Sequence, residues 1–152
     1  MIRNIILMGV QGSGKGTQAK VLATTYGWVH VASGDLYRKL VKQGDLTALA
    51  MKAAIDRGEY FSDEMAIKLI SENLSPQGNI IDGTPRSLRQ AELLEEVTPI
   101  DAVIELVLDD VSATKRVISR LSCLSCGATY GEGGVEVPAL KRCSSCGDVL
   151  SI

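Results

Sequence analysis

The stretch Gly9-Val10-Gln11-Gly12-Ser13-Gly14-Lys15-Gly16-Thr17 decides the reading of this chain. It follows an apolar run, Asn4-Ile5-Ile6-Leu7-Met8, that reads as a buried strand. It precedes Gln18-Ala19-Lys20-Val21-Leu22-Ala23, which reads as a helix. Strand, glycine loop and helix with a lysine at its start form the context of a phosphate-binding loop. Glycines let the main chain take left-handed conformations and approach a ligand closely. Successive N–H groups and the helix N-terminus then face an anion. Lys15 adds a full positive charge where β and γ phosphates would lie. The expectation is a nucleoside triphosphate site. The common pattern places Ser or Thr directly after the lysine, to hold magnesium. Here Gly16 intervenes and the hydroxyl comes at Thr17. Magnesium is therefore expected on phosphates and water, with little direct protein ligation.

A chain of 152 residues is long enough for one domain with a real core. With 16 basic and 18 acidic residues the net charge is −2, so no bulk attraction to nucleic acid is expected. No apolar run approaches the roughly 18 residues of a membrane span. The N-terminus lacks a signal peptide's cleavage region, so a cytoplasmic location is expected. The four cysteines all follow residue 122. In a reducing compartment such clustering points to metal rather than disulfides.

Around the glycine loop, apolar runs alternate with helical patterns. Ile5–Met8, Trp28–Val31, Asn79–Ile81 and Ala102–Leu108 read as parallel strands buried on both faces. Helices are expected at about Lys15–Tyr26, Asp35–Gln43, Thr47–Asp56, Asp63–Asn73, Ser87–Val97 and Ser112–Leu121. This alternation argues a doubly wound α/β fold. Ligands of such folds lie beyond the carboxyl ends of the strands. The glycine loop, Ala32-Ser33-Gly34-Asp35 and Asp82-Gly83-Thr84-Pro85-Arg86 all follow strands at that end.

Asp82, at the end of a buried strand, can act near magnesium through water. Arg86 offers a planar fork of donors suited to phosphate; a strand-end turn with a surface arginine is the plain alternative. Ser33 reads as an N-cap or ligand hydroxyl, and Arg38 as a second phosphate contact or a solvated arginine. His30 and Trp28 read as structural. After Leu121 the composition changes. Cys123-Leu-Ser-Cys126, sixteen further residues, then Cys143-Ser-Ser-Cys146 is the four-thiolate zinc pattern. Gly127 and Gly147 follow the two knuckles as their turns demand. The competing reading, a redox dithiol pair, fits one such knuckle better than two. The resulting closed site is structural, stiffening a segment too short to bury a core. Arg116 and Arg120 are expected on one face of the helix that enters this module.

Together these stretches closely resemble the adenylate kinase family in its zinc-containing bacterial form. The resemblance is carried by Gly9–Gln18, Ser33–Arg38, Asp82–Arg86 with Gln90-Ala91, Arg116 to Arg120, and the four cysteines. It implies a P-loop nucleoside monophosphate kinase fold, α/β, with a parallel sheet flanked by helices. It also implies a small zinc-binding LID. The core would comprise residues 1–32 and 74–122, the AMP-binding region 33–73, and the LID 123–152, incomplete. The implied reaction is ATP + AMP to two ADP. Lys15, Arg86 and Arg120 are the implied catalytic residues. Gly12, Ser13, Gly14, Lys15, Gly16, Thr17, Arg116, Arg120, Thr129 and Tyr130 would bind ATP. Ser33, Arg38, Glu59, Tyr60, Phe61, Gly83, Thr84, Pro85, Arg86 and Gln90 would bind AMP, Gln90 reading the adenine edge.

Cys123, Cys126, Cys143 and Cys146 would hold structural zinc, and Mg2+ would accompany ATP. A monomer without nucleic acid or membrane partners is expected. Thr84 stands where the family often has phenylalanine. Family members also continue past the second knuckle, so little or no turnover is expected of the 152-residue chain, and activity of a longer parent. The competing expectations are a UMP/CMP or other nucleoside monophosphate kinase, or a non-catalytic nucleotide- or zinc-binding fragment.

Overall fold

The structure is a computed structural model that describes residues 2–45, 48, 49, 52, 62–131 and 134–151. Apart from residues 48, 49 and 52, the helix expected at Thr47–Asp56 lies outside the described residues, as do Glu59, Tyr60 and Phe61. The chain divides into two compact units, residues 1–8 with 14–106, and residues 9–13 with 107–152.

The larger unit is built on a sheet. Its strands are β1 (Asn4–Gly9), β2 (Val29–Ala32), β3 (Asn79–Asp82) and β4 (Ala102–Leu106), in the order β2-β3-β1-β4. β3 pairs in parallel with both neighbours, Ile81 opposite Ile6 and Val31. Helices α1 (Lys15–Tyr26), α2 (Ser33–Lys42), α3 (Asp63–Ser71) and α4 (Leu88–Val97) connect the strands. Side chains alternate across a sheet, so adjacent residues of β3 serve two cores. Ile81 packs with Ile6, Val31, Ile67, Ile70 and Leu94, against α3 and α4. Ile80 packs with Leu7 and with Ala19 of α1. Burying a side chain of this size stabilises by about 2 kcal/mol, and both isoleucines are fully buried.

A polar cluster registers the strands at their starts. Asn79 Nδ2 donates to Asn4 Oδ1 at 2.7 Å, and Asn4 Nδ2 donates to Thr98 Oγ1 and the Pro99 carbonyl. The Asp101 carboxylate accepts the amides of Arg3 and Asn4, each at 2.8 Å. β4 departs from the expectation of burial on both faces: Val103 is 57% and Ile104 43% exposed. It is an edge strand. A cavity of about 480 Å³, lined by Ile6, Ala91, Leu94, Ile100 and Val103 among others, opens beside it. The strand also stops at Leu106 instead of Leu108.

The smaller unit holds helix α5 (Asp110–Ile118) and an antiparallel sheet of β5 (Leu121–Cys123), β6 (Thr129–Tyr130) and β7 (Leu150–Ser151), ordered β6-β5-β7. Asp109 caps α5 by accepting the Ser112 amide at 2.9 Å. Buried Cys123, Tyr130, Cys143 and Leu150 make its core.

Candidate active site and metal centre

The glycine loop takes the conformations that only glycine adopts readily. Gly9, Gly12 and Gly14 have φ of 134°, 87° and 94°. The Ser13 amide donates to the Val10 carbonyl at 3.1 Å, and the Gln18 amide to Gly14 at 3.0 Å. Gly14 is thus the N-cap of α1, and Lys15 its first residue. Gly14 supplies no side-chain cap, and a helix N-terminus of this kind suits an anion.

In the larger unit, the ends of β2 and β3 meet the start of α1. A Cβ at Gly16 would lie 3.5 Å from Asp82 Oδ2, so the carboxylate stands beside the first turn of α1. His30 Nε2 lies 3.5 Å from the same oxygen, without hydrogen-bond alignment. One residue on, Gly83 has φ of 79°; a Cβ there would come within 3.2 Å of Ser33 Oγ and 3.4 Å of Arg86 Nη2. Ser33 Oγ donates to the Gly83 carbonyl at 3.4 Å, and Arg86 Nε to the same oxygen at 2.8 Å. Ser33, Gly83 and Arg86 therefore form one polar cluster. Arg38 pairs with Asp35 on the exposed face of α2. Ser33 is not the N-cap expected: Ala32 occupies that position and Ser33 opens the helix, which releases its hydroxyl toward Gly83.

The turn beyond Gly83 is held from α4. Thr84 is buried, and the Thr84–Pro85 peptide is cis. The Arg86 amide donates to Gln90 Oε1 at 2.8 Å, and Ser87 caps α4 by accepting the Gln90 amide at 3.1 Å. Gln90 Nε2 donates to Asp63 Oδ1 at 2.8 Å, and Ser87 Oγ donates to Asp63 Oδ2 at 3.0 Å.

In the smaller unit, Arg116 Nη1 donates to the Gly12 carbonyl at 3.3 Å. A Cβ at Gly12 would meet the Ala113 carbonyl at 3.0 Å. The loop segment 9–13 is thus packed directly on α5. Arg120 does not share a helical face with Arg116, because α5 ends at Ile118 with Ser119 as its C-cap. Arg120 is exposed, in the link to β5.

The four cysteine sulfurs lie within 4.8 Å of one another. Cys123–Cys146 and Cys126–Cys143 sulfurs are each 3.4 Å apart. Four sulfurs around zinc at about 2.3 Å stand about 3.8 Å apart, which these separations bracket. Gly127 and Gly147, at φ of 76° and 78°, donate back to the carbonyls of Cys123 and Cys143, each at 2.8 Å. The sulfurs differ in acidity. Tyr130, whose hydroxyl is 3.3 Å from Cys143 Sγ, is the main cause that holds that thiol down to about 6. At Cys146 the Asp148 amide favours the thiolate, but the neighbouring Cys123 sulfur and burial push the group up to about 12. Four sulfurs gathered at these distances suit a thiophilic cation, whose binding would release the thiol protons. Tyr130 also accepts the Ser144 amide at 2.9 Å, so its buried ring and hydroxyl brace the second knuckle.

Residues 7–146 match the sequence model of the adenylate kinase family. The chain belongs to that family. The adenylate kinase of Geobacillus sp. strain WCH70 is 39% identical over 158 aligned positions, covering 97% of this chain and 72% of that protein. That of Archaeoglobus fulgidus is 36% identical over 156 positions, covering 97% of this chain and 72% of its own length. That of Lactobacillus acidophilus is 36% identical over 153, covering 95% and 70%. Two acids that tie distant segments together, Asp63 and Asp101, carry no mark in the sequence. The pattern Ser87-x-x-Gln90 is a capping-box signature and locates the start of α4. Nothing local in Ser62-Asp63-Glu64 marks a link to a residue 27 positions away.

Proposed function

We propose that this protein is an adenylate kinase in activity as well as in family, transferring a phosphoryl group reversibly from ATP to AMP to give two ADP. The observation that carries this reading is the pairing of two anion-suited groups at the carboxyl ends of β2 and β3. The first is the start of α1 with Lys15, beside Asp82. The second is Ser33, Gly83 and Arg86. One suits a donor's phosphates, the other an acceptor's. Ser13 Oγ, buried and without a hydrogen bond among the described residues, supports a ligand at the glycine loop, since buried hydroxyls are ordinarily paired.

Phosphoryl transfer asks for alignment and charge neutralisation more than covalent chemistry. Lys15 neutralises the donor's β and γ oxygens, and Arg86 and Arg38 hold the acceptor phosphate. That phosphate is largely ionised near neutrality and needs no general base. Arg116, Arg120, Thr129 and Tyr130 belong to the ATP side on the family resemblance, and Glu59, Tyr60, Phe61, Thr84, Pro85 and Gln90 to the AMP side. Magnesium, as in adenylate kinases generally, would screen the donor phosphates, and Asp82, beside the first turn of α1, would hold it through water. The four cysteines would hold zinc, in a closed structural site. The family resemblance supports a monomer acting in the cytoplasm. Among the described residues no helix is long and apolar enough to cross a membrane.

The test is ADP formation from ATP and AMP with magnesium, by the protein and its Lys15→Met variant. Turnover reduced at least a hundredfold in the variant is expected. Equal, measurable rates for the two would overturn the reading. Where neither turns over, calorimetric binding of ATP and AMP decides, with Lys15→Met expected to weaken ATP alone; absence of nucleotide binding would overturn the reading. CMP, UMP and GMP as acceptors decide the alternative: preference for a pyrimidine would replace adenylate kinase with a UMP/CMP kinase.

A further inference from the structure

Gln90 is 8% exposed, and its amide is held at both ends. Oε1 accepts the Arg86 amide, and Nε2 donates to Asp63. A terminal amide is close to symmetric in shape, so only its partners decide which way round it stands. Here both partners vote the same way. Turning the amide over would set Oε1 against the Asp63 carboxylate and the NH2 group against the Arg86 N–H. Losing one neutral and one charge-assisted hydrogen bond disfavours the turned state on the order of a hundredfold. The Asp63 carboxylate is itself steadied, accepting from Ser87 Oγ as well.

The amide has two N–H donors and two lone pairs. One of each is spent internally. What remains is one donor and one acceptor in a fixed order. A purine with a bare ring nitrogen beside an amino group, as in adenine, offers an acceptor and a donor in turn. A 6-oxopurine offers N–H and carbonyl, the reverse order, and needs the amide turned over.

We infer that Asp63 is a positioning residue that sets base selectivity: it locks the Gln90 amide in the one orientation that suits an amino-bearing purine edge and refuses an oxo-bearing one. The inference rests on the proposed function, with Gln90 at the adenine edge as the family resemblance implies. Asp63 touches no substrate in this account. It acts through Gln90, across the α3–α4 contact.

The test is calorimetric titration of AMP and IMP into the protein and into Asp63→Ala, Asp63→Asn, Gln90→Ala and Asp63→Ala/Gln90→Ala variants, with the melting temperature of each. Asp63→Ala is expected to shrink the AMP-over-IMP affinity ratio about tenfold, by weakening AMP and improving IMP, with ATP affinity unchanged. Asp63→Asn, which keeps an acceptor for Gln90 Nε2, restores most of the ratio. In the Gln90→Ala background, Asp63→Ala changes the ratio no further. If Asp63→Ala weakens AMP and IMP alike, or only lowers the melting temperature, Asp63 is a structural residue and the inference falls. If Gln90→Ala itself leaves the ratio unchanged, the assignment of Gln90 to the base is wrong, and the role of Asp63 falls with it.

Discussion

At Gly12 two requirements coincide in one residue. Its φ of 87° is unfavourable for any side chain, and a Cβ would press to 3.0 Å from the Ala113 carbonyl of α5. Gly14, at φ of 94°, shares the first requirement but faces open space. Gly16 has neither: its Cβ would make an ordinary contact with Asp82 Oδ2 at 3.5 Å. The three alanine substitutions should therefore separate in denaturant melts. Gly12→Ala is expected to cost about 2–3 kcal/mol, Gly14→Ala about 1 kcal/mol, and Gly16→Ala close to nothing. No loss at any of the three would mean that the loop's glycines serve the ligand alone, and equal losses would mean that the contact with α5 does not set the ranking. The sequence names these glycines without ranking them, because the ranking depends on what α5 brings against the loop. Asp63 was illegible for the same reason: its partners lie on another helix, and no local pattern encodes them.

Elements were legible where burial is two-sided. β1, β2 and β3 lie within one or two residues of the expected strands, since continuous apolar runs between helices have few other readings. The errors come at ends and edges. A helix pattern carries Ser112–Leu121 past Ser119, where the main chain turns toward β5, so Arg116 and Arg120 part company. β4 reads as buried because its residues are apolar, yet it lies at the sheet edge. What fixes β4 is polar: Asp101, just before it, accepts the amides of Arg3 and Asn4 at the start of β1. Both amides favour the carboxylate, chiefly that of Arg3, and hold its pKa below the ordinary 3.8. A carboxylate depressed on folding contributes stability above its unfolded pKa and loses that contribution as pH falls through the folded one. Asp101→Asn is accordingly expected to melt at a lower temperature than the parent protein near pH 7. The gap should close as the pH drops through the lowered pKa. Thermal melts across that range check it; a gap that persists undiminished in acid would show that the charge is not what ties β4 to β1.

At the scale of the whole molecule, the two units owe their stability to different things. The larger has helices packed on both faces of its sheet and cores of isoleucine, leucine and valine. The smaller has Tyr130 and Leu150 buried with two cysteines, and short strands of two and three residues. Apolar burial on that scale does not offset the chain entropy of ordering the segment. A metal held by the four cysteines, as proposed, would supply the difference, because binding energy in such a site is folding energy. Two consequences follow for a protein loaded with one zinc per chain. Stripping the metal, or replacing Cys143 with serine, should abolish hydrogen-exchange protection at the amides of Cys123, Gly127, Gly147 and Leu150, all hydrogen-bonded within the module. The amides of Val29 and Asn79, bonded within the larger unit, should keep theirs. Cys126→Ser, at an exposed ligand, should weaken zinc binding with a smaller packing loss than Cys143→Ser, at a buried one. Loss of protection throughout the chain would mean that the larger unit depends on the metal as well. Protection unchanged in the module would mean that its strands hold without metal, and that the four sulfurs are gathered for some purpose other than folding.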